Sequence, residues 1–137
     1  MKDNIELTIF TPEKNIKIGE IKEVITEGLD GDLAILPNHV NMITYLKPTI
    51  TKYIDLNGNK NNIFTSSGVL KVEDNKVYII CDASEKPEDI DIKRAENAKK
   101  RAEERLRNKK EIDVKRAELA LFRSIARIKI KELRERL

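Results

Sequence analysis

Tryptophan is absent from this 137-residue chain, cysteine and histidine occur once each, and three Phe with three Tyr are the whole aromatic content. One cysteine excludes an internal disulfide. One cysteine with one histidine leaves no ligand set for a structural zinc, so metal and redox chemistry are not expected. No serine or cysteine nucleophile pairs convincingly with the lone His39, which argues against a catalytic triad. No apolar run approaches the roughly 20 residues of a transmembrane helix, and no charged start leads into an apolar stretch with a cleavage site. The chain reads as soluble and cytoplasmic, without direct membrane insertion. So few aromatics cannot fill a large core, and with 37% charged residues some of the length must be solvated or covered by a partner.

Two further absences divide the chain. Arginine is missing from residues 1–84, which carry 9 Lys against 12 acids, a net charge of −3. Proline and glycine are missing from residues 88–137. Residues 85–137 hold 9 Lys and all 9 Arg against 12 acids, net +6. Lysine would serve solubility as well, so segregated arginine hints at fork-like contacts with carboxylate or phosphate. The boundary near residue 84 separates two expected domains, 1–84 and 85–137.

Residues 1–84 alternate turn signals with short β-branched runs. Thr11-Pro12, Gly19, Gly28, Gly31, Pro37-Asn38, Pro48, Asn57-Gly58-Asn59, Gly68 and Asp74-Asn75 punctuate them. Strands are expected over 5–10, 21–26, 33–36, 49–56, 63–65, 69–72 and 77–81. Ile5, Leu7 and Ile9 share one strand face, as do Leu70 and Val72. Closely spaced strands of this kind predict an all-β antiparallel sandwich or barrel. Cys81 in the last strand reads as a buried, inert thiol.

After Pro87 the pattern is helical. Proline suits a first helical position, and Glu88, Asp89 and Asp91 set negative charge at the positive end of the dipole. Helix one is expected to reach about Leu106. Asn108-Lys109-Lys110 gives a weak break, and Asp113 caps a second helix running to the end. The product is an antiparallel helical hairpin or one interrupted helix. Ile90, Ala95, Ala98, Ala102 and Leu106 form the seam of helix one, mostly alanine, which buries little area. On helix two, Val114, Ala117, Leu121, Ile125 and Ile128 form one stripe, and Leu119, Phe122, Ala126, Ile130, Leu133 and Leu137 a second. One broad face wedged between helix one and the sandwich would explain both stripes. Two docking partners in two states would also explain them.

Arg116, Arg123, Arg127 and Arg134 fall in one arc of helix two, and Arg94, Arg101 and Arg105 repeat at spacings of 7 and 4 on helix one. Solvated charge is the ordinary reading of such stripes. The other reading is a pair of rails closing around an anion. A basic nucleic-acid-binding module is the rival from a different class, although interleaved acids and the lack of stacking aromatics speak against it.

Three segments carry a resemblance. Gly31-Asp32-Leu33-Ala34-Ile35-Leu36-Pro37-Asn38-His39, Ser67-Gly68-Val69-Leu70-Lys71-Val72 and Arg116-Ala117-Glu118-Leu119-Ala120 follow one another in the order and spacing of the epsilon subunit of the rotary ATP synthase. The chain resembles that family over nearly its whole length. Ala34, Asn38 and Ser67 stand where the family usually has other residues. Asn tolerates positive φ at such a loop position, and Ala34 requires an ordinary backbone.

The resemblance implies a ten-stranded sandwich followed by a helical hairpin, and a non-catalytic rotor part on the cytoplasmic face of the bacterial cell membrane. Its implied partners are the gamma subunit and the c-subunit ring, with Asp32 and His39 matching positions that face the ring. It also implies a brake: the hairpin lies compact on the sandwich, or extends along gamma toward the alpha and beta catalytic subunits and blocks ATP hydrolysis. Helices of about 20 and 24 residues would span roughly 65 Å end to end.

Ile90-Asp91-Ile92-Lys93-Arg94-Ala95 fits the family's ATP-binding pattern, Ile/Leu-Asp-x-x-Arg-Ala. The resemblance carries the pocket onto Glu85, Ile90, Asp91, Arg94, Ala95 and Arg101, with Arg116, Arg123 and Arg127 from helix two. In that reading Asp91 holds Arg94, backbone near Glu85 to Ala95 meets the adenine edge, and arginine forks meet phosphates. ATP is then a regulatory ligand rather than a required cofactor. Asp91 and Glu85 are too few for a Mg²⁺ cage, so any Mg²⁺ would ride on the phosphates.

Overall fold

The computed structural model describes residues 2–107 and 114–135. Nine strands come first: β1 (Ile5–Phe10), β2 (Asn15–Gly28), β3 (Gly31–Ile35), β4 (Met42–Leu46), β5 (Thr49–Asp55), β6 (Lys60–Thr65), β7 (Gly68–Glu73), β8 (Lys76–Cys81) and β9 (Ser84–Glu85). A 3₁₀ turn over Pro87–Asp89 leads to α1 (Ile92–Arg107) and α2 (Val114–Glu135). The expected class, a β-sandwich followed by two helices, is what forms. Among the described residues there are nine strands, where the family resemblance implied ten.

The 14-residue β2 makes the sandwich. Its first half pairs with β1, and its second half lies between β3 and β5. One layer runs β1-β8-β7-β4 and the other β3-β2-β5-β6-β9, so β2 belongs to both. The register of β1 against β2 slips between Leu7 and Thr8, opposite Gly19, whose φ of 93° suits a bulge. The glycine expected to end a strand therefore bends one instead. Between the layers lie Ile5, Leu7, Ile9, Ile21, Val24, Ile35, Leu46, Ile63, Leu70, Val72, Val77, Ile79 and Cys81. The alternation read for Ile5, Leu7 and Ile9 and for Leu70 and Val72 is the inward face.

The helical end differs in detail from its expectation. α1 starts at Ile92 rather than near Glu88, because Ile90 is extended (φ −82°, ψ 123°) between the 3₁₀ turn and the helix. The expected break at 108–110 and the Asp113 cap lie outside the described residues. The seam of small residues is as expected, with Ala95 and Ala102 of α1 buried beside Ala117 of α2. Ile90 does not belong to that seam. It joins Phe64, Ala126 and Ile130 in a second, much smaller apolar cluster, flanked by Ile50 and Ala83, where α2 lies on β5 and β6.

Candidate functional site

Strand β9 is only two residues long, but it decides the geometry of the site. Glu85 stands directly across from Phe64 on β6, and cross-strand partners share a face. Ser84 Oγ fixes the pair by donating to the Phe64 carbonyl at 2.8 Å. Both side chains meet Arg127 of α2. The guanidinium carbon lies 4.4 Å from the centre of the Phe64 ring, and Nη2 is 2.6 Å from Glu85 Oε1. Phe64 is wholly buried, although it faces the helices rather than the sandwich core.

A cavity of about 450 Å³ opens beside this contact, within the range of small-molecule sites. Arg94 and Arg101 of α1 and Arg123 and Arg127 of α2 line it, with the small residues Ala95, Ala98, Ala120 and Ser124 between the rails. Small seam residues leave the space that the arginines rim. Glu13 and Glu85 supply acid from the sandwich, and Asp89 and Asp91 from the 3₁₀ turn and the start of α1. Burial pulls the Arg127 guanidinium below the ordinary arginine pKa; Glu85 opposes this, while Arg123 and Arg94 add repulsion of the same sign as burial. Arg127 Nε is buried and has no partner among the described residues. Crowded cations with a spare donor are electrostatically suited to a multivalent anion.

Of the nine residues assigned to this pocket from sequence, seven line the cavity: Glu85, Asp91, Arg94, Ala95, Arg101, Arg123 and Arg127. Ile90 lies instead beneath the helices in the Phe64 cluster, and Arg116 is exposed and does not line the cavity. Asp91 does not hold the Arg94 side chain. Its Oδ1 accepts the Arg94 backbone N–H at 3.1 Å, as a helix N-cap. Sequence reasoning missed Phe64, Glu13 and Asp89. The available signal for Phe64 was alternation, since a strand that buries Ile63 turns Phe64 to the opposite face.

Asp32 and His39 are not brought together. Asp32 is exposed near the β2–β3 turn, and His39 lies past the far end of β3, where Nδ1 is 2.7 Å from the Val40 carbonyl. They mark the two ends of an edge strand flanked by exposed Leu29, Leu36 and Val40. Asn38 adopts φ 66°, a positive value that Asn tolerates.

A second apolar surface lies on the other layer. Ile43 and Tyr45 of β4 are 70% and 66% exposed, and Tyr45 aligns through Val69 with the exposed Ile80 on β8. No helix among the described residues is long and apolar enough to cross a membrane.

Comparison with known proteins agrees with this architecture. Residues 4–87 match the family model of the ATP synthase delta/epsilon chain β-sandwich domain, and residues 88–132 match that of its long α-helix domain. An ATP synthase epsilon chain of Clostridium botulinum is 99% identical over 133 residues, covering 97% of this chain and all of that one. The corresponding chain of Clostridium acetobutylicum is 50% identical over 107 residues, 78% of this chain and 80% of the relative. A chain in a cryo-EM structure of the Euglena gracilis mitochondrial ATP synthase, comprising OSCP, F1 and c-ring, shares the fold. It has a TM-score of 0.80 at 22% identity, covering 92% of this chain and 80% of that one. With a sandwich and helical pair matched in order along its length, the chain belongs to the epsilon-subunit family of the ATP synthase, whose members are non-catalytic parts of the central stalk.

Proposed function

We propose that this chain joins the gamma subunit to the c-subunit ring at the cytoplasmic face of the bacterial cell membrane, and that its helical pair is a conditional brake on ATP hydrolysis. The observation that carries the reading is unequal packing. Thirteen buried residues hold the sandwich together, whereas the helices rest on it through four buried residues, Phe64, Ile90, Ala126 and Ile130. An element fastened so lightly belongs to the low-stability end of a structure, from which moving parts are drawn. Laid end to end, helices of 16 and 22 residues would reach about 57 Å along a shaft toward the alpha and beta subunits.

Two surfaces suit the two rotor partners. The exposed ladder of Ile43, Tyr45 and Ile80 offers gamma an apolar face of the sheet. The edge of β3, with Asp32 and His39 at its ends and Leu29, Leu36 and Val40 beside them, suits the loops of the ring. The structure containing the Euglena neighbour includes a c-ring, which supports a ring as partner.

ATP is the ligand that fits the cavity. Its phosphates would take the forks of Arg94, Arg101, Arg123 and Arg127, and its base the backbone near Glu85 to Ala95. Because the cavity is lined by both helices and by the sandwich residues Glu13, Ala83 and Glu85, only the compact form offers the whole site. Ligand at about 100 times its Kd favours that form by about 2.7 kcal/mol, which biases a marginal docking without hydrolysis. Calorimetric titration of ATP into the full chain tests the ligand: saturable binding is expected, and no heat at millimolar ATP would remove it. Deleting residues 88–137 tests the brake, because the assembled motor should then hydrolyse ATP faster. An unchanged rate under conditions where the intact motor is inhibited would leave only a passive coupling role.

A further inference from the structure

Among the described residues, Glu85–Arg127 is the one ion pair that joins the sandwich to the helices. Its members are mostly buried, with side-chain exposures of 29% and 23%. The Arg127 guanidinium is thereby held from two directions, by the carboxylate at 2.6 Å and by the face of Phe64 at 4.4 Å. Both contacts come from neighbouring residues of β6 and β9, and both end on a side chain that also rims the arginine-lined cavity. An aromatic face attracts a guanidinium best where water is excluded, and Phe64 is fully buried.

We propose that Glu85 and Phe64 form an internal latch on Arg127, the Glu85 carboxylate occupying in the empty site the guanidinium edge that a ligand phosphate takes when nucleotide is bound. This deepens the nucleotide reading above and rests on it for the exchange step alone. The latch itself is a property of the empty protein. Arg127 keeps an anionic partner throughout: the carboxylate leaves as a phosphate arrives, and the cation remains on its aromatic seat. Arg127 Nε, buried and unpartnered, gives the incoming anion a donor that Glu85 does not use. The helical pair is therefore held down weakly without ligand and more firmly with it. Phe64, which lies in the sandwich and does not line the cavity, acts as a positioning residue for Arg127 at its rim.

The test follows the docked-to-open ratio in the full chain. Cysteines replacing exposed Lys22 on β2 and Lys129 on α2 carry a fluorescent donor and acceptor, at a mild urea concentration where both forms are populated. Without nucleotide, Glu85→Gln should lower the ratio about tenfold, the scale of a lost hydrogen bond between charged groups. Phe64→Leu keeps apolar bulk, and lowers the ratio about threefold through loss of the ring face. Added ATP should restore docking of Glu85→Gln, because phosphate replaces the missing carboxylate. An unchanged ratio in Glu85→Gln without nucleotide would overturn the latch. If ATP docks the unaltered chain but not Glu85→Gln, then Glu85 is a ligand contact and the exchange is wrong. If ATP binds neither, the nucleotide reading and the exchange fall together, while the nucleotide-free ratios still decide the latch.

Discussion

Asp91 Oδ1 accepts the backbone N–H of Arg94 at 3.1 Å, so the acid of the Ile-Asp-x-x-Arg-Ala segment fixes where α1 begins and leaves the arginine fork free for the cavity. An N-cap of this kind contributes about 0.5–2 kcal/mol. Asp91→Ala should destabilise the first turn of α1 by about 1 kcal/mol, read as faster hydrogen exchange at residues 95–98, and weaken the proposed ATP binding through loss of the formed site. Asp91→Asn, which still caps, should recover most of both. Equal loss of affinity in the two variants would assign the carboxylate to the ligand directly.

Three buried threonine hydroxyls on adjacent strands form a chain: Thr26 and Thr51 are 2.9 Å apart, and Thr51 and Thr65 2.7 Å apart. The middle member serves both neighbours. Thr51→Val should destabilise the sandwich by about 1–3 kcal/mol, since it leaves two buried hydroxyls without that partner, and Thr26→Val by less. Urea unfolding of the full chain checks the order; equal midpoints would show that the outer hydroxyls find other partners.

The sandwich was legible where apolar alternation is regular, as in Ile5, Leu7 and Ile9, and the helical end where glycine and proline stop. Tertiary pairing hid the rest. Gly19 reads as a strand end because glycine usually punctuates, yet paired to β1 it is a bulge inside one long strand. Met42–Leu46 alternates in burial, but its outward residues Ile43 and Tyr45 are apolar and its inward Thr44 is polar, so apolar pattern alone does not mark a face. Ile90 fits the helix-one seam on a wheel, but the 3₁₀ turn places it a step before the helix. The arginine rails were legible because they repeat along a single helix. Alternation could turn Phe64 away from the sandwich core, but its meeting with Arg127 and the approach of Glu13 in the β1–β2 turn to the cavity are long-range facts.

Gly68 opens β7 against Cys81 of β8, and a side-chain carbon built there would run into the Ile80 carbonyl and the Cys81 backbone. Backbone cannot swing aside as the end of a side chain can. Gly68→Ala should therefore separate β7 from β8 locally and lower stability by at least the 1–3 kcal/mol typical of overpacking. Gly58→Ala meets open space, and carries only the strain of φ 85°. Thermal unfolding should rank Gly68→Ala well below Gly58→Ala.

Burial pushes the Cys81 thiol above its ordinary pKa, and Sγ–H donates to the Ala83 carbonyl at 3.3 Å. A group whose folded pKa is raised binds its proton more tightly in the native state. Its contribution to stability is complete below the unfolded pKa of about 8.5 and is lost as pH rises through the folded value. Alkylation of the native chain at pH 8 should be far slower than in urea. Cys81→Ala should reduce the loss of stability on going from pH 8 to pH 10, compared with the unaltered chain. Fast native alkylation would show that β8 opens readily.

Arg116 and Arg123 are seven residues apart on α2, yet only Arg123 lines the cavity, because the helix carries Arg116 past its end into solvent. Removing a charged hydrogen-bond donor from a bound phosphate costs about 1.5–3 kcal/mol, so at the proposed nucleotide site Arg123→Ala should weaken ATP binding by about 10- to 100-fold. Arg116→Ala should change it less than about threefold, and added salt should narrow even that difference, since an exposed charge acts only through a screened field. Calorimetric titration of both variants under one buffer separates the two. Comparable losses would mean that the ligand reaches beyond the cavity along α2, and the site would have to be redrawn to include the exposed end of the arginine rail.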